Sequence, residues 1–325
     1  MNPVTLDDVR AAAERVRGAV YRTPIVRLPL DAPVYAKAEN LQRTGSFKLR
    51  GAYNFLAALP EAVRRRGVVA HSSGNHAQGV ACAAHLFGVH ATIVIPDNAP
   101  EVKVARTLAW GAEVVRCRPS SRAREEGAER LVLERGYTLV PPFDHPWIIA
   151  GQGTAGLELA EDLPGVKNVL VCVGGGGLIA GVATAVTSLL PDAQVIGVEP
   201  ELAADAKDSF EAKRLRQWPA ELTGRTMADG VRTQSLGQLN FELIRQRVRG
   251  FVTVSEEAIQ EATGWYALEA KLVVEPTGAL TLAAYRRLLA GPIDGIALQD
   301  GPTALLISGG NIAPAMLSAL LSAQR

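Results

Sequence analysis

Short β-branched runs alternate with helical stretches along most of this chain, and that alternation leaves few folds open. Val68, Val69, Ala70 and His71 read as a strand, with a helix over residues 77–87 behind them. Residues 91–95 form the next strand, closed by Pro96, and residues 102–110 the next helix. A strand at 113–116, a charged amphipathic helix at 123–135 and a strand at 138–140 follow, stopped by Pro141-Pro142. The pattern resumes after Gly151, with near-continuous apolar strands at 169–173, 195–198 and 304–307. This order predicts an α/β fold of doubly wound parallel sheets with helices on both faces. Uninterrupted apolar strands are what burial on both faces requires. At 325 residues the chain exceeds most single cores, so two domains are expected. Pro141-Pro142 is the local signal for a crossing between them. At the start, Thr5 and Asp8 resemble a capping box; Leu6, Val9, Ala13, Val16 and Val20 recur at helical spacing until Thr23-Pro24. The polar stretch 203–237 reads as a surface excursion.

Charge and cysteine usage exclude several classes. The 34 basic and 33 acidic residues leave a net charge of +1, which gives no electrostatic footprint for nucleic acid or an anionic membrane. Cys82, Cys117 and Cys172 are far apart and form no C-x-x-C pair, so neither a disulfide framework nor a zinc site is suggested, and a reducing, cytoplasmic setting fits. Asp7, Asp8 and Arg10 stand where a signal peptide would be apolar. Residues 169–190 carry no charge and match the roughly 20 residues of a membrane span. Four glycines cut that segment into a strand and a helix, so it is read as buried core.

Those glycines, Gly174, Gly175, Gly176 and Gly177, come first among the segments that carry chemistry. Between a strand and a helix they let successive backbone N–H groups converge on a phosphate. G-x-G-x-x-G fails at Ile179, and the Walker pattern fails at Val182. The loop is therefore a phosphate cup without a nucleotide fingerprint. Ser72, Ser73, Gly74, Asn75 and His76 follow a strand, where the free N–H groups of a helix start can hold a carboxylate; taken alone they read as plain capping. Ser308, Gly309, Gly310 and Asn311 end another strand. Lys48 lies between Phe47 and Leu49 at a helix start. Its amine, with an ordinary pKa of about 10.4, becomes a nucleophile if burial lowers that value.

Together these segments resemble the fold-type II pyridoxal phosphate enzymes, specifically the serine/threonine dehydratases and serine racemases. The likeness runs nearly the whole length. It rests on Ser46-Phe47-Lys48-Leu49-Arg50-Gly51-Ala52, Ser72-Ser73-Gly74-Asn75-His76, Ala150-Gly151-Gln152-Gly153-Thr154, the glycine loop, Glu275-Pro276-Thr277 and Ser308-Gly309-Gly310-Asn311. Cysteine and threonine synthases typically place Asp after the lysine, where Leu49 stands.

The resemblance implies a small domain, residues 67–143, inserted into a larger one made of residues 1–66 and 144–325, with the cofactor in the cleft. It implies that Lys48 holds pyridoxal 5'-phosphate as a Schiff base, that the glycine loop binds its phosphate, and that Phe47 packs beside its ring. Asn75 would donate to the ring hydroxyl and Ser308 would meet the pyridine nitrogen. Residues 72–76 would bind the substrate carboxylate. The implied reaction is deaminating α,β-elimination from L-threonine or L-serine. Serine racemisation is the alternative, for which Ser73 and Arg124 match the racemase pattern; Phe143-Asp144 sides with the threonine dehydratases. Hydroxyaspartate elimination, β-replacement and a non-catalytic binder stand further off. A Mg²⁺ or Ca²⁺ site is implied at Glu199, the Ala203 carbonyl and Asp205, since hard cations take oxygen ligands. A homodimer or higher homo-oligomer is expected.

Overall fold

The computed structural model describes residues 3–99 and 101–322. Among them, ten strands form two sheets: β1 (Ile25–Arg27), β2 (Val34–Ala38), β3 (Val68–His71), β4 (Ala91–Pro96), β5 (Glu113–Cys117), β6 (Thr138–Leu139), β7 (Asn168–Cys172), β8 (Gln194–Pro200), β9 (Gly250–Val254) and β10 (Thr303–Ile307). One sheet runs β1-β2-β10-β7-β8-β9 and the other β5-β4-β3-β6. All pairings are parallel except β1 with β2, an antiparallel edge that the sequence reading did not foresee. The central strands β7 and β10 are buried along their whole length, as helices on both faces demand.

The chain opens with the helix Leu6–Val16, whose Thr5–Asp8 capping box is reciprocal. It stops one turn earlier than the apolar spacing suggested: Gly18 sits at φ +77, and Val20 is buried beyond the helix end. Residues 203–237 are not a plain surface excursion. They contain the helix Asp205–Ala212, buried Ala203 and Asp205, and a short 3-10 turn, Asp229–Val231.

The core of the four-stranded sheet is not confined to its own segment. Val68, Ala70, Ile93 and Ile95 pack with Leu49, Phe55 and Leu56 of the helix Lys48–Ala58 and with Ile148 of the helix Pro146–Asp162. The helix that begins at Lys48 is thus clamped between the two sheets. One glycine permits the approach: a Cβ at Gly79, in the helix Asn75–Phe87, would lie 3.0 Å from the Lys48 carbonyl carbon and 3.1 Å from its oxygen. Any larger residue there would push away the backbone that carries Lys48.

Candidate active site

Lys48 is the first residue of its helix, and its Nζ donates to the Pro142 carbonyl at 2.7 Å. That carbonyl belongs to the segment returning from the smaller sheet. Lys48 faces a cavity of about 420 Å³ whose wall also includes Phe47, Phe143 and the four glycines 174–177. Burial lowers the Lys48 amine to about 8. The Cys172 thiol on the same wall is itself pushed up to about 11 by burial, so it stays neutral and supplies no counter-charge. At pH 7 an amine of pKa about 8 is unprotonated roughly 300 times more often than one at 10.5. The ring of Phe47 lies with its centroid 5.3 Å from Nζ.

The glycine loop leads from β7 into the helix Gly177–Leu189, with Gly176 as N-cap at φ +91. The Phe143 ring packs on Gly175, and its carbonyl lies 2.9 Å from where a Gly177 Cβ would stand. Side chains at these positions would collide with the wall. The cup is thus closed on one side by Phe143 and open to the cavity on the other.

A second polar cluster adjoins this wall through residues 44–48 and 308–311. The Asn75 amide donates to Glu275 at 2.7 Å, and its carbonyl oxygen accepts from Asn311 at 2.8 Å, so its amide is engaged within the protein. Asn311 also donates to the Thr44 carbonyl at 2.8 Å. Burial, with Asp229 adding to it, pushes the Glu275 carboxyl up to about 7. The Phe47 N–H donates to the Ser308 carbonyl at 3.1 Å. Ser308 Oγ is buried beside the Cys172 thiol, a weak hydrogen-bonding group, and meets no nitrogen or oxygen partner. An orphaned hydroxyl costs free energy unless a further group pairs with it.

The remaining sequence candidates fall in two places. Ser72 and Ser73 are half-buried after β3; Ser72 Oγ accepts from the Gly74 N–H at 3.1 Å. His76 is buried, and its Nε2 lies 3.0 Å from the Val140 carbonyl; burial, reinforced by nearby Lys48, pushes it down to about 3. It is a neutral donor that ties the helix start to the chain after β6, leaving its backbone N–H for a ligand. Arg124, in the helix Ser121–Arg135, acts electrostatically on His71, the last residue of β3.

Glu199, on β8, and Asp205 are not among the cavity-lining residues. The Glu199 carboxylate accepts from the N–H groups of Ala206 at 3.0 Å and Lys207 at 2.7 Å. Both Asp205 carboxylate oxygens are buried without a partner. Burial raises both carboxyls, Asp205 to about 7; the charge of Asp205 adds to the rise at Glu199, and that of Asp208 to the rise at Asp205.

Several site residues escaped the sequence reading. Pro142 and Phe143 shape the lysine and the cup, Gln152 lines the cavity, and Gly230 and Val231 line it from within the supposed surface excursion. Gln152 and Phe143 stand in segments that carried the resemblance, but nothing in the sequence assigned them to the cavity.

A lysine of lowered pKa and a loop of four glycines thus line one cavity of a parallel α/β protein. The chain belongs to the pyridoxal-phosphate dependent enzyme family, whose pattern matches residues 16–297. It is 44% identical to the L-threo-3-hydroxyaspartate ammonia-lyase of a Pseudomonas species, over 94% of each chain. It is 40% identical to the serine racemase of Schizosaccharomyces pombe, over 95% of this chain and 94% of that one. The crystal structure of a T.th. threonine deaminase superposes with a TM-score of 0.88 at 48% identity, covering 95% of this chain and 99% of that one. The residues present fit the cofactor: an amine of lowered pKa and a loop whose glycines a Cβ would jam.

Proposed function

We propose that this chain is a deaminating dehydratase that converts L-threonine and L-serine to a 2-oxo acid and ammonia. The observation that carries this reading is the Lys48 amine, held near pKa 8, on the same cavity wall as the glycine loop. Pyridoxal phosphate, when bound, supplies an electron sink conjugated to the substrate's α-carbon. Residues 174–177 would hold its phosphate, Phe47 would pack beside its ring, Asn75 would serve its ring hydroxyl, and Lys48 Nζ would be its point of covalent attachment. Ser308, a neutral hydroxyl, meets the pyridine nitrogen; a carboxylate there would strengthen the sink, so serine leaves elimination of the β-hydroxyl competitive. Backbone N–H groups of residues 72–76, with the Ser72 hydroxyl, bind the substrate carboxylate at a helix start. Lys48 Nζ, as a neutral amine, would take the α-proton of the substrate. The segment 67–143 acts as the smaller, inserted body. A homodimer in a reducing cytoplasm completes the reading, in line with the three separate cysteines.

The test is release of 2-oxo acid from L-threonine, L-serine and L-threo-3-hydroxyaspartate. No product from any of the three overturns the reading, and the ratio among them sets the preferred substrate.

Serine racemisation is the second activity of the same site, supported by the racemase among the relatives and by Ser73 and Arg124. Ser73 Oγ is the second proton carrier, and Arg124 serves the substrate from the smaller body. Ser73→Ala is expected to lower D-serine formation by roughly 10²-fold or more while elimination changes by less than about threefold. Chiral chromatography of the products reads this directly, and unchanged D-serine formation removes Ser73 from the role.

Glu199, the Ala203 carbonyl and Asp205 hold a Mg²⁺ or Ca²⁺ ion, and the two orphaned Asp205 oxygens support the assignment. The ion orders the segment after β8 and takes no part in the chemistry. At a concentration 100 times its Kd such an ion stabilises by about 2.7 kcal/mol. A chelator is expected to lower the wild-type Tm by several degrees and to leave Asp205→Asn unchanged. Equal chelator sensitivity of both proteins dismisses the site.

A further inference from the structure

The Gly175 carbonyl accepts two hydrogen bonds, from the Asn240 side-chain amide at 2.7 Å and from the Gly237 N–H at 3.0 Å. Neither donor lines the cavity, whereas Gly175 and Gly176 do. Both donors therefore draw the carbonyl to the rear of the loop. A trans peptide is planar, with C=O and the following N–H pointing in opposite directions. Tying back the Gly175 oxygen thus turns the Gly176 N–H toward the cavity. The left-handed φ of +91 at Gly176 is the backbone consequence, tolerated because the residue is glycine.

Asn240 is held for this task. It lies in the first turn of the helix Gln238–Arg247, whose N-cap Gly237 has no side chain to offer. Asp144 caps the helix instead, accepting from Gln238 at 3.0 Å, Leu239 at 3.0 Å and Asn240 at 3.3 Å. Asp144 directly follows Phe143, whose ring covers Gly175. Asn240 is fully buried, close to Leu236 and Ile244, and its Oδ1 has no partner. An apolar residue would fill this space without an orphaned oxygen, so packing does not explain an asparagine.

We propose that Asn240 is a positioning residue for the cofactor phosphate: with the Gly237 N–H it holds the Gly175 carbonyl out of the cup. Left free to turn inward, that oxygen would face a dianion and remove a donor from it. The inference rests on reading the glycine loop as the phosphate cup.

The experiment strips the holoenzyme of cofactor and titrates it back with pyridoxal 5'-phosphate or with pyridoxal, which lacks the phosphate. The wild-type protein, N240A and N240D are compared. N240A is expected to bind pyridoxal phosphate at least about tenfold more weakly while its affinity for pyridoxal stays within about twofold, and N240D, with a carboxylate against the carbonyl, more weakly still. Unchanged affinity for pyridoxal phosphate, or an equal loss for both compounds, overturns the role of Asn240. Circular dichroism checks folding; N240D, the size of the native residue, carries the test if the smaller side chain unfolds the protein. A wild-type protein that binds both compounds equally well would instead overturn the phosphate cup itself, so the two failures are separable.

Discussion

Lys48→Ala is expected to abolish covalent cofactor attachment and to cut 2-oxo acid release by roughly 10²–10⁴-fold, the span of a lost general base. Two roles meet on one nitrogen, so the loss exceeds that of any other single side chain in the cavity. Borohydride reduction of the wild-type holoprotein should leave a stable adduct on the peptide that contains Lys48, and none on the variant. An adduct on a different lysine, or turnover of the variant near the wild-type rate, would sink the assignment. The wild-type protein supplies a pH control. Only the neutral amine attacks a carbonyl, and burial holds Lys48 near pKa 8. The rate of reattachment to the stripped protein should therefore climb about tenfold per pH unit below 8 and level off above it. An ordinary surface lysine would go on climbing to about 10.4.

The parts of this site that sequence made legible are local ones. A strand, a run of special loop residues and a helix start are contiguous in the chain, so the glycine loop could be read where it stands, and it lines one cavity with Lys48; Ser308 and residues 72–76 are not among that cavity's lining residues. The strand periodicity worked for the same reason: β7 and β10 are apolar at all but one position. What escaped depends on partners far along the chain. Gly175 and Asn240 are 65 residues apart, and Lys48 reaches Pro142 across 94. Residues 203–237 look solvated by composition, yet Asp205 is buried by its neighbours and Val231 reaches the cavity. The strand β2 hid behind Lys37, a charge that reads as exposed and is fully buried.

Lys37 belongs to the clearest such case, an ion cluster behind the helix Lys48–Ala58. Arg50 stands two residues after Lys48 and is fully buried. Its Nε and Nη2 each donate to Glu39 at 2.8 Å, in a bidentate pair. It also donates to both Glu158 oxygens, at 2.7 and 2.8 Å. Lys37 Nζ donates to Glu158 at 2.5 Å and to the Thr23 carbonyl at 2.7 Å. Two cations thus face two carboxylates, and each charge has partners. Burial alone would raise Glu39, but the Arg50 guanidinium outweighs it and holds the carboxyl below its ordinary range. Its contribution to stability is therefore complete above the unfolded value and lost as pH falls through the folded one.

Removing Arg50 breaks that balance. R50M keeps the bulk of the stem but leaves Glu39 and Glu158 facing Lys37 alone, an uncompensated negative charge with almost no access to water. Truncating one partner of a buried pair costs about 3–5 kcal/mol, a large share of the roughly 5–15 kcal/mol that holds a folded chain together. The urea midpoint of R50M should fall accordingly. Adding E39Q, which removes the stranded charge, should restore part of the loss, with a coupling of about 1 kcal/mol or more between the two sites. The cluster joins the first turn of the Lys48 helix to the 3-10 turn Glu39–Leu41 and to the helix Pro146–Asp162. Loosening it should also let the Lys48 amine reach water and move its reattachment profile upward in pH, toward the free value. A midpoint in R50M equal to that of the wild-type protein would show that water already screens these charges. The rigid seat inferred for the lysine would then have to come from Gly79 and the apolar packing of the helix alone.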